Sequence, residues 1–216
     1  MTAPAPFRDR REAGAALAAA LLGLGLRDAV VLGLPRGGVP VAAIVADALG
    51  APLDVVVVRK LGVPGQPELA MGAVGEGGVV VRHEQVLRRA GVDAASFDEV
   101  LAHELTEVDL RVARLRAGRP RAPLAGRTAV VVDDGLATGS TARAACAVLR
   151  AARALRVVLA VPVAPAGTTV EQADELVVVR SPEPFGAVGR WYADFAPTSE
   201  REVVDLLRRS AGAQGP

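Results

Sequence analysis

Short, wholly apolar runs alternate along this chain with longer stretches in which apolar residues recur every three or four positions. Ala29-Val30-Val31-Leu32 and Ala129-Val130-Val131-Val132 are such runs, and residues 157–161 and 176–179 repeat the pattern. Runs this short with no polar alternation suit strands buried on both faces, as in a parallel sheet. Helical spacing predicts helices over residues 9–22, 38–49, 96–117, 141–152 and 200–209, the third through Leu101, Leu105, Val108, Val112 and Leu115. Strand 29–32, the helix closed by Gly50 and a strand over 53–58 form a βαβ unit. The pattern breaks over 59–66 at Gly62, Pro64 and Gly65, which predicts a mobile loop, and two short strands follow at 69–74 and 79–82, turning at 75–78. These elements predict an α/β fold: an open, mostly parallel twisted sheet of about five core strands with flanking helices.

Composition narrows the class. Hydrophobic residues make up 51% and aromatics 3% of the 216 residues, so the core is built from Ala, Val and Leu, and the length predicts a single domain over residues 1–216. It carries a peripheral excursion near 60–126 and an irregular segment near 181–197. The 25 Lys plus Arg against 24 Asp plus Glu leave a net charge of +1 and no basic stripe, which argues against nucleic acid as a partner. The lone Cys146 forms no internal disulfide and no zinc spacing is present, in keeping with a reducing cytoplasm. Uncharged runs over 13–26 and 157–170 fall short of the roughly 18–20 residues of a membrane span, and the mixed charges near the N-terminus do not resemble a signal peptide. A soluble cytoplasmic protein with no membrane partner is expected. Lys60 is the one Lys in a chain whose other cations are all Arg.

The chemistry concentrates in Asp133-Asp134-Gly135-Leu136-Ala137-Thr138-Gly139-Ser140-Thr141, directly after an apolar strand. Ligands of open α/β sheets bind at the carboxyl ends of strands, and a helix N-terminus offers unpaired N–H groups to an anion. Thr138, Ser140 and Thr141 add hydroxyls to such a phosphate loop. Adjacent carboxylates repel unless a cation or hydrogen-bond donors lie between them, and a ribose diol with Mg²⁺ is such a partner. No Gly-Lys-Ser/Thr and no Gly-x-Gly-x-x-Gly after a strand is present, which excludes a Walker loop and a dinucleotide fingerprint. After the first strand, Gly37 and Gly38 free backbone N–H groups to approach a diphosphate, and Arg36 can fork onto its oxygens. Trp191 and Tyr192, with Phe185 and Phe195, offer flat rings for stacking on a base.

The stretch from Ala129 to Ala142 resembles the phosphoribosyl diphosphate (PRPP) signature of the type I phosphoribosyltransferases. Leu34-Pro35-Arg36-Gly37-Gly38 stands where that family places its pyrophosphate loop, and Arg59-Lys60 where members often carry a PRPP-contacting cation. The segment from Lys60 to Ala73 is similar to that of predicted phosphoribosyltransferases whose substrate is unassigned. The resemblance implies transfer of 5-phosphoribosyl from PRPP to a small nitrogen acceptor such as a nucleobase, with release of pyrophosphate and a requirement for Mg²⁺. In that reading Lys60, Arg36, Asp133 and Asp134 carry the chemistry, and Gly135, Leu136, Ala137, Thr138, Gly139, Ser140 and Thr141 hold the 5-phosphate. Arg36, Gly37 and Gly38 hold the diphosphate, Asp133 and Asp134 support the metal directly or indirectly, and loop 61–67 closes over the site. Trp191 and Tyr192 belong to a small acceptor-binding hood over 181–197, and a homodimer is a compatible assembly. Purine-salvage relatives acting on hypoxanthine and guanine have an acid where this chain has Ala137. The alternative is a non-catalytic PRPP- or nucleotide-sensing regulatory protein.

Overall fold

Residues 5–212 are described by the computed structural model. Helix α1 (Arg10–Leu22) starts at Asp9, whose carboxylate accepts the Arg11 and Glu12 N–H groups at 2.9 Å each, as an N-cap does. The strands β1 (Ala29–Gly33), β2 (Leu53–Val55), β6 (Thr128–Val132), β7 (Arg156–Val163) and β8 (Glu175–Arg180) form one parallel sheet in the order β2-β1-β6-β7-β8. Every residue of β1 and β6 is buried, because helices cover both faces. Side-chain alternation divides the core in two. Val31, Val130, Val132 and Val158 pack on one face with α1, α2 (Gly38–Leu49) and α6 (Glu200–Gly212). Val30, Leu32, Ala129, Val131 and Leu159 pack on the other with α5 (Ser140–Ala151), where the buried Cys146 is a small core residue.

The excursion departs from expectation. Residues 53–58 are not one strand: β2 ends at Val55, and β3 (Val58–Val63) pairs antiparallel with β4 (Gln66–Gly75), which pairs with β5 (Val79–Arg82). The apolar run hides the break because Val56 and Val57 are both buried, in opposite cores. Residues 59–66, expected as a mobile loop, are mostly β3 and a hairpin turn, with Gly65 at φ +77° and a register shift at Gly62. A short helix that the sequence pattern does not predict, α3 (Glu84–Ala90), precedes α4 (Ala94–Arg116). A buried ionic knot pins the excursion to the sheet: Arg116 of α4 meets Asp54 of β2 at 2.9 Å and Glu76 in the β4–β5 turn.

The segment over 181–197 is irregular apart from one 3-10 turn, Val188–Trp191. It is laced to the start of the chain. Phe7 N–H donates to the Trp191 carbonyl (2.8 Å), and the Ala193 and Asp194 N–H groups donate to the carbonyls of Phe7 (2.7 Å) and Arg8 (2.8 Å). Phe7, Ala13, Val163, Trp191 and Tyr192 form a third, smaller core there. No described helix is long and apolar enough to cross a membrane.

Candidate active site

Two loops meet at the carboxyl ends of β1 and β6. From β1 the chain passes through α2 to β2 on one side, and from β6 through α5 to β7 on the other. The loops therefore diverge and leave a crevice, the usual ligand position in an open α/β sheet. Leu34 N–H donates to the Val132 carbonyl at 2.8 Å, which sets loop 34–38 against the end of β6. A Cβ on Gly37 would collide with Asp134 Oδ2, and one on Gly38 would stand 2.5 Å from the Val132 carbonyl oxygen. These glycines are needed for loop-on-loop contact, and the Gly38 N–H expected to meet an anion is given instead to the Leu34 carbonyl at 3.0 Å. Arg36 is exposed; its carbonyl accepts the Val39 N–H at 3.2 Å, while its guanidinium has no hydrogen bond or ion pair to another described residue.

The two acids sit in different surroundings. Arg10, from α1, donates through Nε (2.9 Å) and Nη2 (2.7 Å) to Asp134 Oδ2, and through Nη1 (2.8 Å) to the Ala196 carbonyl. Its guanidinium lies 4.1 Å from the Phe195 ring centroid, and the Tyr192 hydroxyl donates to the Asp134 carbonyl at 2.5 Å. Asp133 accepts the Asp134 N–H at 2.9 Å but has no direct counter-ion. Burial, and then the charge of Asp134, push its pKa up to about 8, against the pull of that N–H and of Arg10.

Loop 135–139, expected to hold a phosphate, opens α5 with Gly139 at φ +70°, a left-handed conformation that a β-branched residue resists. Asp133, Gly135 to Ala142 and Val188 line a recess of about 160 Å³. Leu136 is not a ligand side chain: it is buried in the core, and its N–H donates to the Val163 carbonyl at 2.9 Å. Ala137, Thr138, Ser140 and Thr141 are exposed. Arg143, one turn into α5, braces the loop from behind through the Thr138 carbonyl (2.5 Å) and the Thr169 carbonyl (3.3 Å).

Arg59 and Lys60 do not share one side of the site. Neighbouring residues of a strand point to opposite faces, so Arg59 and Lys60 separate. Lys60 bonds the Glu68 carbonyl and carboxylate, both at 3.3 Å, and lines a cleft of about 180 Å³ with Ser140 and Arg143. Arg59 turns toward α4, where it meets Glu104 at 2.6 Å beside Arg111. Arg111 Nη2 donates to the Pro35 carbonyl at 3.2 Å. Arg59 therefore stands on the side of loop 34–38, and Lys60 borders loop 135–141. The rings of Trp191 and Tyr192 are also placed otherwise than expected: both are buried in the third core, and Trp191 Nε1 donates to the Phe185 carbonyl at 3.0 Å. Packing the N-terminal segment against 185–195 consumes the faces that would stack on a base. No motif in the sequence marks Arg10, Arg111 or Arg143. No group of three or more His, Cys, Asp or Glu that could hold a metal ion lies among the described residues.

A parallel sheet with a Gly/Ser/Thr loop and an acid pair at the carboxyl ends of its central strands defines an open α/β class with a strand-end crevice, and the comparisons specify the family. The phosphoribosyl transferase domain model matches residues 10–195, so the chain belongs to that family. Two curated Mycobacterium tuberculosis proteins, each named "Putative phosphoribosyl transferase", are 54% identical over 207 residues, 94% of this chain and 47% of theirs. The chain thus spans about half the length of these relatives. The crystal structure of TT1426 from Thermus thermophilus superposes with a TM-score of 0.88 at 46% identity, covering 94% of this chain and 98% of that one. A Neisseria gonorrhoeae protein, 15% identical with a TM-score of 0.51 over 100% of this chain and 99% of its own, shares the fold.

Proposed function

We propose that this chain transfers 5-phosphoribosyl from PRPP to a small nitrogen acceptor, a nucleobase or related heterocycle, releasing pyrophosphate. One observation supports this above others: the acid pair after β6 is packed directly against the Gly37–Gly38 loop after β1, with the N-terminus of α5 opening beside it. A ligand spanning this crevice needs a phosphate at one end, a diol in the middle and a second anion at the other. The amides of 137–141 and the hydroxyls of Thr138, Ser140 and Thr141 hold the 5-phosphate, and Asp133 and the free oxygen of Asp134 accept from the ribose hydroxyls. Arg36 and the Gly37 amide take the diphosphate, the Gly38 N–H being given to the Leu34 carbonyl (3.0 Å), and stabilise charge as the bond between the anomeric carbon and the diphosphate oxygen breaks and a carbon–nitrogen bond forms. Ala137 has no group to take the acceptor's proton, which leaves to water.

Mg²⁺ fits this donor set only in part. It is commonly held by one or two carboxylates together with substrate phosphates, and here Asp134 Oδ2 is committed to Arg10. Asp133 would be its protein partner, directly or through water, and the metal would supply neutralisation of the diphosphate charge. The alternative, a PRPP or nucleotide sensor, gains from the burial of the rings expected to grip an acceptor. Incubation of the purified protein with PRPP, Mg²⁺ and a panel of bases and amines separates the two. Acceptor-dependent pyrophosphate release is the expected result; tight PRPP binding with no release above the blank leaves the sensor.

A further inference from the structure

Three guanidinium groups converge behind the pyrophosphate loop. Arg111 reaches from α4 to the Pro35 carbonyl, Arg59 comes from β3, and Arg36 from the loop itself. A recess of about 190 Å³ beside them is lined by Arg59, Arg111, Arg114, Glu107, Leu110 and Glu200. Arg111 uses one of its five N–H donors on a described residue and Arg36 uses none, while Glu104 takes one edge of Arg59. Four guanidiniums stand against the carboxylates of Glu104, Glu107 and Glu200, so the neighbourhood keeps a positive excess. The half-buried Arg111 has its pKa held below the ordinary guanidinium value by burial, then by the like charges of Arg59 and Arg36, with Glu200 opposing. A multivalent anion relieves repulsion of this kind and satisfies the free donors together, since planar forks match phosphate oxygens in pairs.

We propose that Arg111 binds diphosphate, forming with Arg36 and Arg59 a three-guanidinium site that the excursion contributes to the strand-end loops. The inference rests on the PRPP reading in making this diphosphate the leaving group of PRPP; inorganic pyrophosphate has the same chemistry and could occupy the site alone.

The test is calorimetric titration of the full chain with inorganic pyrophosphate, ribose 5-phosphate and PRPP, each with Mg²⁺, for the parent, R111Q and R111K. R111Q is expected to weaken pyrophosphate binding at least tenfold, leave ribose 5-phosphate within twofold, and flatten the salt dependence of pyrophosphate affinity; R111K recovers part of the loss. An equal loss for PRPP identifies its diphosphate arm as the ligand, whereas unchanged PRPP affinity supports the site as one for free pyrophosphate. No pyrophosphate binding by the parent, unchanged pyrophosphate affinity in both variants, or equal loss for ribose 5-phosphate overturns the proposal, the last by making Arg111 a support of the loop alone. A parent that binds pyrophosphate through Arg111 but neither PRPP nor ribose 5-phosphate overturns the PRPP reading instead.

Discussion

Asp133 and Asp134 are chemically identical neighbours that the fold treats differently: one is forked by Arg10, the other is crowded and lacks a direct counter-ion. Replacing both by Asn should weaken Mg²⁺-dependent PRPP binding at least tenfold, about 1.4 kcal/mol, with the fold intact. Unchanged affinity by calorimetry would remove the pair from the site. The raised pKa of Asp133 has a separate consequence. Between its ordinary value of 3.8 and about 8, the folded protein keeps a proton that the unfolded chain has lost, so this group lowers stability as pH rises through that window and adds no further slope above it. Urea unfolding of Asp133→Asn and the parent at pH 5 and pH 8.5 should therefore show the variant gaining on the parent at the higher pH; a constant difference means that Asp133 is ionised throughout. Arg10→Ala strips two charge-assisted bonds from a mostly buried carboxylate and should cost about 2–3 kcal/mol in the same assay. The acid pair and the glycines were legible in the sequence because they lie within one local string. Arg10 was not, since it sits 124 positions from Asp134 and looks like any cation at the start of a helix.

Among the elements, the parallel strands were legible because burial on both faces leaves them no polar positions. The change of sheet at Val56 and Val57 was illegible for the same reason: hydrophobicity reports burial, not which strand accepts the hydrogen bonds. Glycine and proline misled in the β3–β4 hairpin, where they make a tight turn and a register shift rather than a long loop. The junction between the phosphate loop and α5 gives a ranking of variants. Gly139→Val forces a β-branched side chain into a left-handed conformation and should abolish phosphate binding, whereas Ser140→Ala removes one neutral hydrogen bond, about 1 kcal/mol. A titration with the reverse order would mean that the hydroxyl, not the turn, holds the phosphate. The Asp54–Arg116–Glu76 knot makes a further prediction. Asp54→Ala leaves a buried guanidinium short of a partner and should cost about 3–5 kcal/mol by chemical denaturation, while Asp54→Leu with Arg116→Met should fall much closer to the parent.

At the scale of the whole molecule, the site draws on parts far apart in the chain: the loops after β1 and β6, α1, and the segment around Tyr192 and Phe195. Sequence motifs gave the two loops, and only three-dimensional proximity gives the rest. Trp191, the single tryptophan, sits where these parts meet and offers a probe of their assembly. Its fluorescence should reach the native value no sooner than the far-ultraviolet dichroism of the sheet during refolding; an earlier change would mean that the end segments associate before the sheet. The lacing of Phe7 and Arg8 to residues 191–194 also has a meaning in time. On the ribosome Arg10 is made early, the acids it serves are made midway, and the Ala196 carbonyl and Phe195 ring that hold it come after the last strand. A nascent chain that has completed all eight strands thus carries the phosphate loop and both carboxylates but cannot yet fix the arginine between them. The crevice is finished only when residues 192–196 have been made and have met Arg10 and Asp134, so its acid pair is fixed late relative to the sheet that carries it.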